Sequence, residues 1–294
     1  MKVKRWHRFS LFQVLDRGLF LLFALVCLYP FWHTVVGSLI PYSEYMQKTL
    51  LLWPEHFTTE AYQYIFSQGY IWGPLYTTVF ITFVGTLVQL VVVTTCAYAL
   101  SKSFPGRKFV IGMIIVTMFV NGGLIPSYIL YQKLHLLNTL WVYILPCLFN
   151  TYHMILLRTH FLTFPHELEE SAYIDGAGDL YTFTRIVLPL SKPILVTITL
   201  FTAVAFWNTF AQSLYFVSDP NIKTLQDYLY SILADTMTKA SGTGFTISIN
   251  TSSVVFSENI KLANTVIAIV PILLVYPFLQ KHMARGIMIG ALKG

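Results

Sequence analysis

The chain has 294 residues, of which 55% are hydrophobic and only 11% are charged. Soluble domains carry roughly 25% charged residues, so this composition excludes an ordinary soluble protein and indicates a membrane protein. A formal net charge of +6 would suggest nucleic-acid binding in a soluble protein. Here the distribution of the basic residues along the chain gives a different explanation.

The N-terminus predicts a retained membrane anchor. The first 17 residues are basic and polar, and an apolar run follows from about residue 18 to residue 39. This start resembles a signal peptide, but the run is long enough to cross a bilayer and lacks a clear small-residue cleavage site. We therefore expect a first transmembrane helix here. The mixed segment 41–72, which is rich in tyrosine, is expected to lie at the membrane interface or outside.

Five further apolar runs predict transmembrane helices at about residues 74–100, 109–132, 140–157, 193–217 and 262–279. The third span is interrupted by Asn121-Gly122-Gly123 and by Pro126. Such interruptions are tolerated at membrane depth only where protein or a water-filled cavity covers the freed backbone groups. The expected fold is an all-α polytopic membrane protein with six transmembrane helices.

The basic residues predict the orientation of these helices. With six spans both termini lie on one side, and that side carries fourteen of the nineteen lysine and arginine residues. Because cytoplasmic loops are enriched in Lys and Arg, the N-terminus, the C-terminus and the loop between spans four and five are expected in the cytoplasm. The basic excess then reflects membrane topology, and nucleic-acid binding is unnecessary to explain it.

The loop between spans four and five, residues 159–192, is the most polar connection on this predicted cytoplasmic side, and we call it the acidic loop. Five of the thirteen acids of the chain lie between Glu167 and Asp179. Pro165 precedes acids that favour the first turns of a helix, and Gly176 breaks the pattern. This predicts a helix–turn–helix on the membrane face. Composition alone leaves open whether the loop is an ordinary solvated connector or a functional element.

Seven positions in the acidic loop share the spacing EAA-x3-G-x9-I-x-LP: Glu170, Ser171, Ala172, Gly176, Ile186, Leu188 and Pro189. In this pattern the loop resembles the EAA loop of ABC importer permeases, with Ser171 where alanine is usual. The resemblance implies a type I ABC importer permease fold in which the loop forms a coupling helix seated in a groove of an ATPase subunit. Glu170 would then supply a charge, Ala172 a small packing face and Gly176 the turn. Leu188-Pro189 would mark the re-entry into span five.

The C-terminal tail, residues 281–294, adds to the resemblance. It is short, apolar and glycine-interrupted, and similar tails occur in the carbohydrate branch of the family, where they contact the ATPase dimer. By that resemblance Ile287, Met288 and Leu292 would contact the ATPase, although a frayed terminus is the simpler interpretation. The motifs Tyr276-Pro277-Phe278 and Leu28-Tyr29-Pro30-Phe31 are also similar to oligosaccharide permeases.

The family resemblance implies a set of partners. It predicts a second homologous permease, two ATP-binding-cassette ATPase subunits that bind ATP and Mg, an extracytoplasmic solute-binding protein and membrane lipid, but no nucleic acid. The chain itself is expected to hold no cofactor or metal, to have no catalytic residue and to lie as a multi-pass protein in the bacterial inner membrane.

An enzymatic function has little support in the sequence. His166-Glu167-x-x-Glu170 partly matches the zinc protease motif H-E-x-x-H, but the second histidine is missing. The chain also lacks a G-x-x-x-x-G-K-[ST] phosphate-binding loop and a G-x-S-x-G nucleophile elbow.

Uncharged polar and aromatic residues inside the spans are candidates for a solute path. They are Asn121, Asn150, His153, Trp207, Asn208, Phe210 and Gln212. Aromatic faces suit sugar rings and amides pair with hydroxyls, but helix–helix hydrogen bonding explains each polar residue equally well. No Asp or Glu lies deep in a span, whereas ion-coupled carriers often keep one there. This absence argues for an external energy source and against an ion-coupled secondary transporter, which is the alternative function.

The sequence thus predicts a permease that imports a carbohydrate, in particular an oligosaccharide, with energy from partner ATPases, and an acidic oligosaccharide is compatible with the predicted path. The expected division is an N-terminal part at 1–72, a core transmembrane domain at 73–280 and the tail. The core would carry the acidic loop and an external loop at 218–261. In related systems the external loop reaches the solute-binding protein and the partner permease supplies most sugar contacts.

Overall fold

The structure is a computed structural model that describes residues 11–48, 50–240 and 258–274. Every regular element in these ranges is helical, which confirms the predicted all-α class. The helices are α1 (Leu11–Ser38), α2 (Tyr42–Gln47), α3 (Glu60–Gln68), α4 (Trp72–Ser101), α5 (Arg107–Phe119), α6 (Leu124–Lys133), α7 (Trp141–Ile144), α8 (Thr151–Phe161), α9 (His166–Ile174), α10 (Asp179–Thr182), α11 (Leu188–Leu190), α12 (Lys192–Trp207), α13 (Ala211–Phe216), α14 (Leu225–Ala240) and α15 (258–274). Phe183–Val187 is a π-helical segment, and 3-10 turns occur at Leu145–Cys147 and Pro220–Ile222.

Two helices in the described ranges, α1 and α4, are long and apolar enough to cross a membrane by themselves. They contain 28 and 30 residues. At about 1.5 Å per residue each exceeds the roughly 30 Å of a hydrocarbon core. The number of candidate spans rises to four if each of two bent helix pairs counts as one.

Predicted spans three, four and five are interrupted helices, whereas span six corresponds to the continuous helix α15, which the structure describes as far as residue 274. Span three consists of α5 and α6, whose axes differ by 113° across residues 120–123. The predicted interruption at Asn121-Gly122-Gly123 is confirmed, but Pro126 takes no part in it. Pro126 lies in the first turn of α6, where a helix has no backbone acceptor for an amide hydrogen. Span four divides into α7 and α8, and span five into α12 and α13.

The described residues fall into two compact units. The first takes in the residues before Tyr70 together with Ile232–Ile269, and the second takes in Tyr70–Ser231 and the residues from Val270. In the second unit α4 packs along α12 and α8. The close approach of α4 and α12 depends on Gly85, because a Cβ atom there would lie 2.6 Å from the ring of Phe206.

In the first unit a buried carboxylate organises the segment after α1. Glu44 accepts hydrogen bonds from the backbone amides of Glu55 and His56, at 2.9 and 3.0 Å, and from the Lys48 ammonium at 3.0 Å. Burial by itself would raise the pKa of Glu44, but these bonds lower it to about 2. In the same unit, the Asn259 side chain of α15 donates to the backbone carbonyls of Gly37 and Ile40.

In the second unit the start of α14 is held by buried hydroxyl groups. Asp227, at this end of α14, accepts from the Ser213 hydroxyl at 2.8 Å and pairs with Lys223 at 3.0 Å. The Tyr143 hydroxyl donates to Ser213 Oγ at 3.1 Å, and the Leu225 amide donates to a threonine hydroxyl of α4. The beginning of the predicted external loop is therefore fixed to three membrane spans.

Candidate functional site

The acidic loop forms a helical hairpin whose turn is centred on Gly176. Gly176 has a φ of 80°, in the left-handed region that glycine adopts without strain. The Ala177 amide donates to the Ala172 carbonyl at 2.9 Å, and the Gly176 amide donates to the Tyr173 carbonyl at 3.0 Å. This pair of bonds is the Schellman motif that ends many helices. The predicted helix–turn–helix is thus present, with α9 before the turn and α10 after it.

A side-chain hydrogen bond closes the hairpin. The Tyr173 hydroxyl of α9 donates to Asp179 Oδ1 of α10 at 2.6 Å. This bond to a carboxylate, together with burial, raises the pKa of Tyr173 to about 12. The two short helices are therefore tied to each other by both the backbone turn and this bond, so the hairpin is built to move as one piece.

A second tie joins the hairpin to the end of span two. Glu169 of α9 forms an ion pair with Lys102, the residue that follows α4. The Lys102 ammonium also lies 4.6 Å from the centre of the Tyr98 ring, a cation–π contact. Arg158 at the end of α8 donates to the Leu100 carbonyl at 2.9 Å. The hairpin is thus connected to α4 as well as to the spans on either side of it in the chain.

The outward surface of the hairpin is acidic and apolar. Glu170 and Ser171 are exposed, whereas Ala172 is buried against its own chain, with 7% of its surface exposed. Ile174 and Leu180 are 86% and 76% exposed. Beside them lies a cleft of about 620 Å³, lined by Ser171, Ala172, Asp175, Gly176, Ala177, Gly178, Tyr181, Arg185 and Ile186. Exposed apolar residues around a cleft are typical of a surface that receives another protein.

The chain returns towards span five through a π-helical segment. Ile186 of that segment lines the cleft, Leu188 packs against the core around α4, and Pro189 is exposed. The helix axis then turns by 81° between Asp179–Leu190 and Lys192–Trp207. Ser191 lies at the bend, and its amide and hydroxyl both donate to the Val187 carbonyl. The helix bend that precedes α12 therefore lies at Ser191, two residues after the Leu188-Pro189 pair at which the resemblance implies the re-entry.

The predicted solute-path residues do not form one cluster. Three of them are asparagines at breaks in membrane spans, and each side chain forms a hydrogen bond with the backbone beside its break. Asn121 accepts from the Gly123 amide at 2.9 Å, Asn150 accepts from the His153 amide at 3.0 Å, and Asn208 donates to the Val204 carbonyl at 2.9 Å. Capping of interrupted helices thus accounts for part of the hydrogen bonding of each.

The other path residues are distributed between α8, α12 and α13. His153 is buried, and its Nδ1 atom lies 3.3 Å from the Thr202 hydroxyl. Trp207 is buried in α12, and the Gln212 amide lies 3.9 Å from the sulfur of Cys147. The residues brought together are Asn208 and Phe210, which contact Gln226 and Tyr230 of α14.

Four residues that form contacts in the hairpin or beside the solute path were not identified from the sequence. Lys102 forms an ion pair with Glu169, which lies 67 positions later in the chain, and the Lys102 ammonium lies over the Tyr98 ring. No local sequence pattern predicts a contact between residues so far apart in the chain. Gln226 and Tyr230 lie in what was predicted to be the external loop, where one helical turn separates them, but nothing in the sequence relates them to span five.

Two expected contact sites lie beyond the described residues. The tail residues Ile287, Met288 and Leu292 are outside the described ranges, as are residues 241–257 of the predicted external loop. Among the residues that the structure does describe, no three His, Cys, Asp or Glu side chains form a group that could hold a metal ion.

Comparison with known proteins identifies the family of this chain. Residues 102–289 match the family model of the binding-protein-dependent transport system inner membrane component. The chain is 38% identical over 285 residues to the polygalacturonan/rhamnogalacturonan transport system permease protein YtcP of Bacillus subtilis, covering 97% of this chain and 99% of that protein. It is 40% identical over 272 residues to the protein LplC of the same organism, covering 92% and 90%.

A solved structure has the same fold. A chain in the crystal structure of a bacterial ABC transporter involved in the import of the acidic polysaccharide alginate superimposes with a TM-score of 0.81 and 28% sequence identity. The superposition covers 92% of this chain and 95% of that chain.

Proposed function

The chain belongs to the family of binding-protein-dependent transport system inner membrane components, and we propose that its acidic loop receives the motion of a cytoplasmic ATPase. The chain is a permease subunit of an ABC importer for carbohydrate. The observation that carries the coupling proposal is the hairpin itself. It has an exposed acid at Glu170, exposed apolar residues at its turn and a cleft beside them, and it is bonded to α4.

The hairpin is suited to transmit a push. A partner that binds Glu170 and fills the cleft would displace α9 and α10 together, because the Gly176 turn and the Tyr173–Asp179 hydrogen bond join the two helices. The displacement passes to α12 through the bend at Ser191 and to α4 through Lys102. Since α4 and α12 pack along each other, the membrane helices would move as a packed group between inward-open and outward-open states.

We further propose the six-span topology with both termini and the acidic loop in the cytoplasm. It is supported by the excess of basic residues on that face and by the two uninterrupted spans, α1 and α4. In this arrangement α5 and α6 are available to a second homologous permease, because the described part of the chain buries none of their residues.

The energy source and the external partner follow from the family. Two ATPase subunits would bind ATP and Mg, and the permease itself would contain no cofactor and catalyse no reaction. An extracytoplasmic binding protein would deliver the solute to the face that carries α14. Names of relatives include both polygalacturonan and alginate transport, and we therefore propose an oligosaccharide that contains uronic acid as the solute.

The coupling role is tested by Glu170→Lys and Gly176→Pro in the complete transporter, reconstituted with its partners in liposomes. Both variants should insert in the membrane and lose ATP-driven uptake, because the first reverses the contact charge and the second breaks the turn. Glu60→Lys, the same charge reversal in α3, is the matched control and should transport normally. Full uptake by both hairpin variants would refute coupling through this loop. Uptake driven by an ion gradient without ATP would instead favour a secondary transporter.

A further inference from the structure

Four side chains beside the break in span five form a partly exposed group that joins two amides to two aromatic rings. The Gln226 amide of α14 donates to Asn208 Oδ1 at 3.2 Å, just after the end of α12. Beside this pair, the rings of Phe210 and Tyr230 lie 4.9 Å apart at an angle of 56°. We call these four residues the amide–aromatic cluster. Tyr230 is 50% exposed and Asn208 is also exposed.

The position of the cluster along the span indicates water rather than lipid. α12 has 16 residues and begins at Lys192, so at 1.5 Å per residue it rises about 24 Å before Asn208. In the proposed topology this places the cluster in the outer part of a roughly 30 Å hydrocarbon core. Amides exposed to lipid at that depth would be costly, so polar residues in spans face a bundle interior or a water-filled cavity.

The cluster is held rigidly by the buried bonds beneath it. The Thr224 hydroxyl donates to the Thr209 carbonyl, in the break of span five, at 2.8 Å. The Thr224 amide donates to Ser213 Oγ at 3.2 Å, and Ser213 in turn donates to Asp227. These bonds fix α14 against the end of α12 independently of the four cluster side chains. The cluster is therefore not required to hold the two helices together and is preorganised for another contact.

The chemistry of the cluster fits a pyranose ring. Sugar rings present apolar C–H faces, which pack on aromatic side chains, and hydroxyl groups, which pair with amides. An amide has two N–H donors and a carbonyl oxygen, so Asn208 and Gln226 retain hydrogen-bonding capacity after the bond between them. None of the four side chains carries a charge, and Lys223 nearby is paired with Asp227. The cluster would therefore contact the ring and its hydroxyls, whether or not the sugar bears a carboxylate.

We propose that Asn208, Phe210, Gln226 and Tyr230 form a carbohydrate subsite at the outer entrance of the solute path, an inference that rests on the proposed import function. The subsite receives one sugar residue of the oligosaccharide before the chain passes inward. It assigns to the first turns of α14 a direct contact with the solute, in addition to any contact of the external loop with a binding protein.

The test is protection of an introduced cysteine by solute. Tyr230→Cys is placed in the complete transporter with its binding protein in liposomes, and its rate of labelling by a membrane-impermeant maleimide is measured with and without trigalacturonic acid or maltotriose. Tyr70→Cys, an exposed tyrosine just before α4, is the matched control. We expect the transported sugar to slow labelling at position 230 at least fivefold and to leave position 70 unchanged. In uptake assays, Tyr230→Ala and Gln226→Leu should reduce transport at least fivefold, whereas Tyr70→Ala, the same truncation at an exposed tyrosine outside the cluster, should retain it.

Each other outcome has a separate meaning. Equal labelling of Tyr230→Cys with and without sugar, in liposomes that import that sugar, overturns the subsite and leaves the import function standing. Labelling that is blocked in the assembled transporter without sugar also overturns it, because the cluster would then be an interface with the second permease. Failure of the unsubstituted transporter to import either sugar with ATP counts against the proposed function and is seen before any variant is made.

Discussion

The ion pair between Lys102 and Glu169 should determine how firmly the acidic loop is held to span two. The two side chains are 31% and 18% exposed, so the pair lies between a surface salt bridge and a buried one. A hydrogen bond to a charged group contributes about 1.5–3 kcal/mol, and the contact with the Tyr98 ring adds about 0.5–1 kcal/mol. Partial exposure to water reduces this sum. We expect Lys102→Met to weaken the attachment by about 2 kcal/mol, which is about a 30-fold change in the local opening equilibrium.

Hydrogen–deuterium exchange on the assembled transporter in nanodiscs measures this equilibrium directly. In Lys102→Met the amides of α9 should exchange about 30-fold faster, while those in the middle of α4 should be unchanged. Lys102→Arg keeps the charge and should keep most of the protection. The charge-swapped double variant Lys102→Glu/Glu169→Lys should recover the ion pair but not the cation–π contact, and its exchange should lie close to that of the native protein.

Two results would refute this reasoning. If exchange in α9 changes less than about threefold in Lys102→Met, the ion pair contributes little and the hairpin is held by its flanking spans alone. If the double variant exchanges as fast as either single variant, the loss arises from packing and not from the interaction between these two charges.

Two further predictions concern packing and pH. Gly85→Ala should lower the free energy of unfolding of the purified protein by about 1–3 kcal/mol, because the new Cβ would lie 2.6 Å from the ring of Phe206. In the described part of the chain no atom beyond the adjacent backbone lies within 4 Å of a Cβ built at Gly112 in α5, so Gly112→Ala should have no such effect. Equal effects of the two substitutions would contradict the packing argument. The folded-state pKa of Glu44 lies at about 2, below its ordinary value of 4.5, so its stabilising contribution is complete above pH 4.5 and lost as the pH falls towards 2. The backbone amides of residues 55 and 56 should lose protection from hydrogen exchange over this pH range, after correction for intrinsic exchange rates. Glu44→Gln should lack this pH dependence. If the pH dependence persists in Glu44→Gln, the carboxylate is not its origin.

Much of the acidic loop could be read from the sequence because its signals are local. Pro165 before acids predicts a helix start, Gly176 predicts the turn, and both are determined by neighbouring residues. The turn has the Schellman bonds that a glycine at this position allows. The burial of Ala172 against its own chain was not predicted, since the resemblance implied only that it supplies a small packing face.

The interrupted spans were harder to predict because an apolar run does not reveal the direction of its helix. Asn121-Gly122-Gly123 marks the break in span three, but the 113° turn across it depends on how α5 and α6 are placed. Pro126 was wrongly read as a breaker, since the same residue is well tolerated in a first helical turn. The breaks at Asn150 and Asn208 carry a single asparagine each, which also occurs within continuous helices.

The amino-acid sequence by itself determined the membrane class, the position of most apolar segments and the hairpin, because composition and short-range spacing set each of them. Only the tertiary structure decided which distant residues meet: Lys102 with Glu169, Gly85 with Phe206, and Asn208 with Gln226. These contacts join positions up to 121 residues apart. They depend on the packing of α4, α12 and α14, and in a uniformly apolar sequence no periodic pattern specifies which faces of those helices come together.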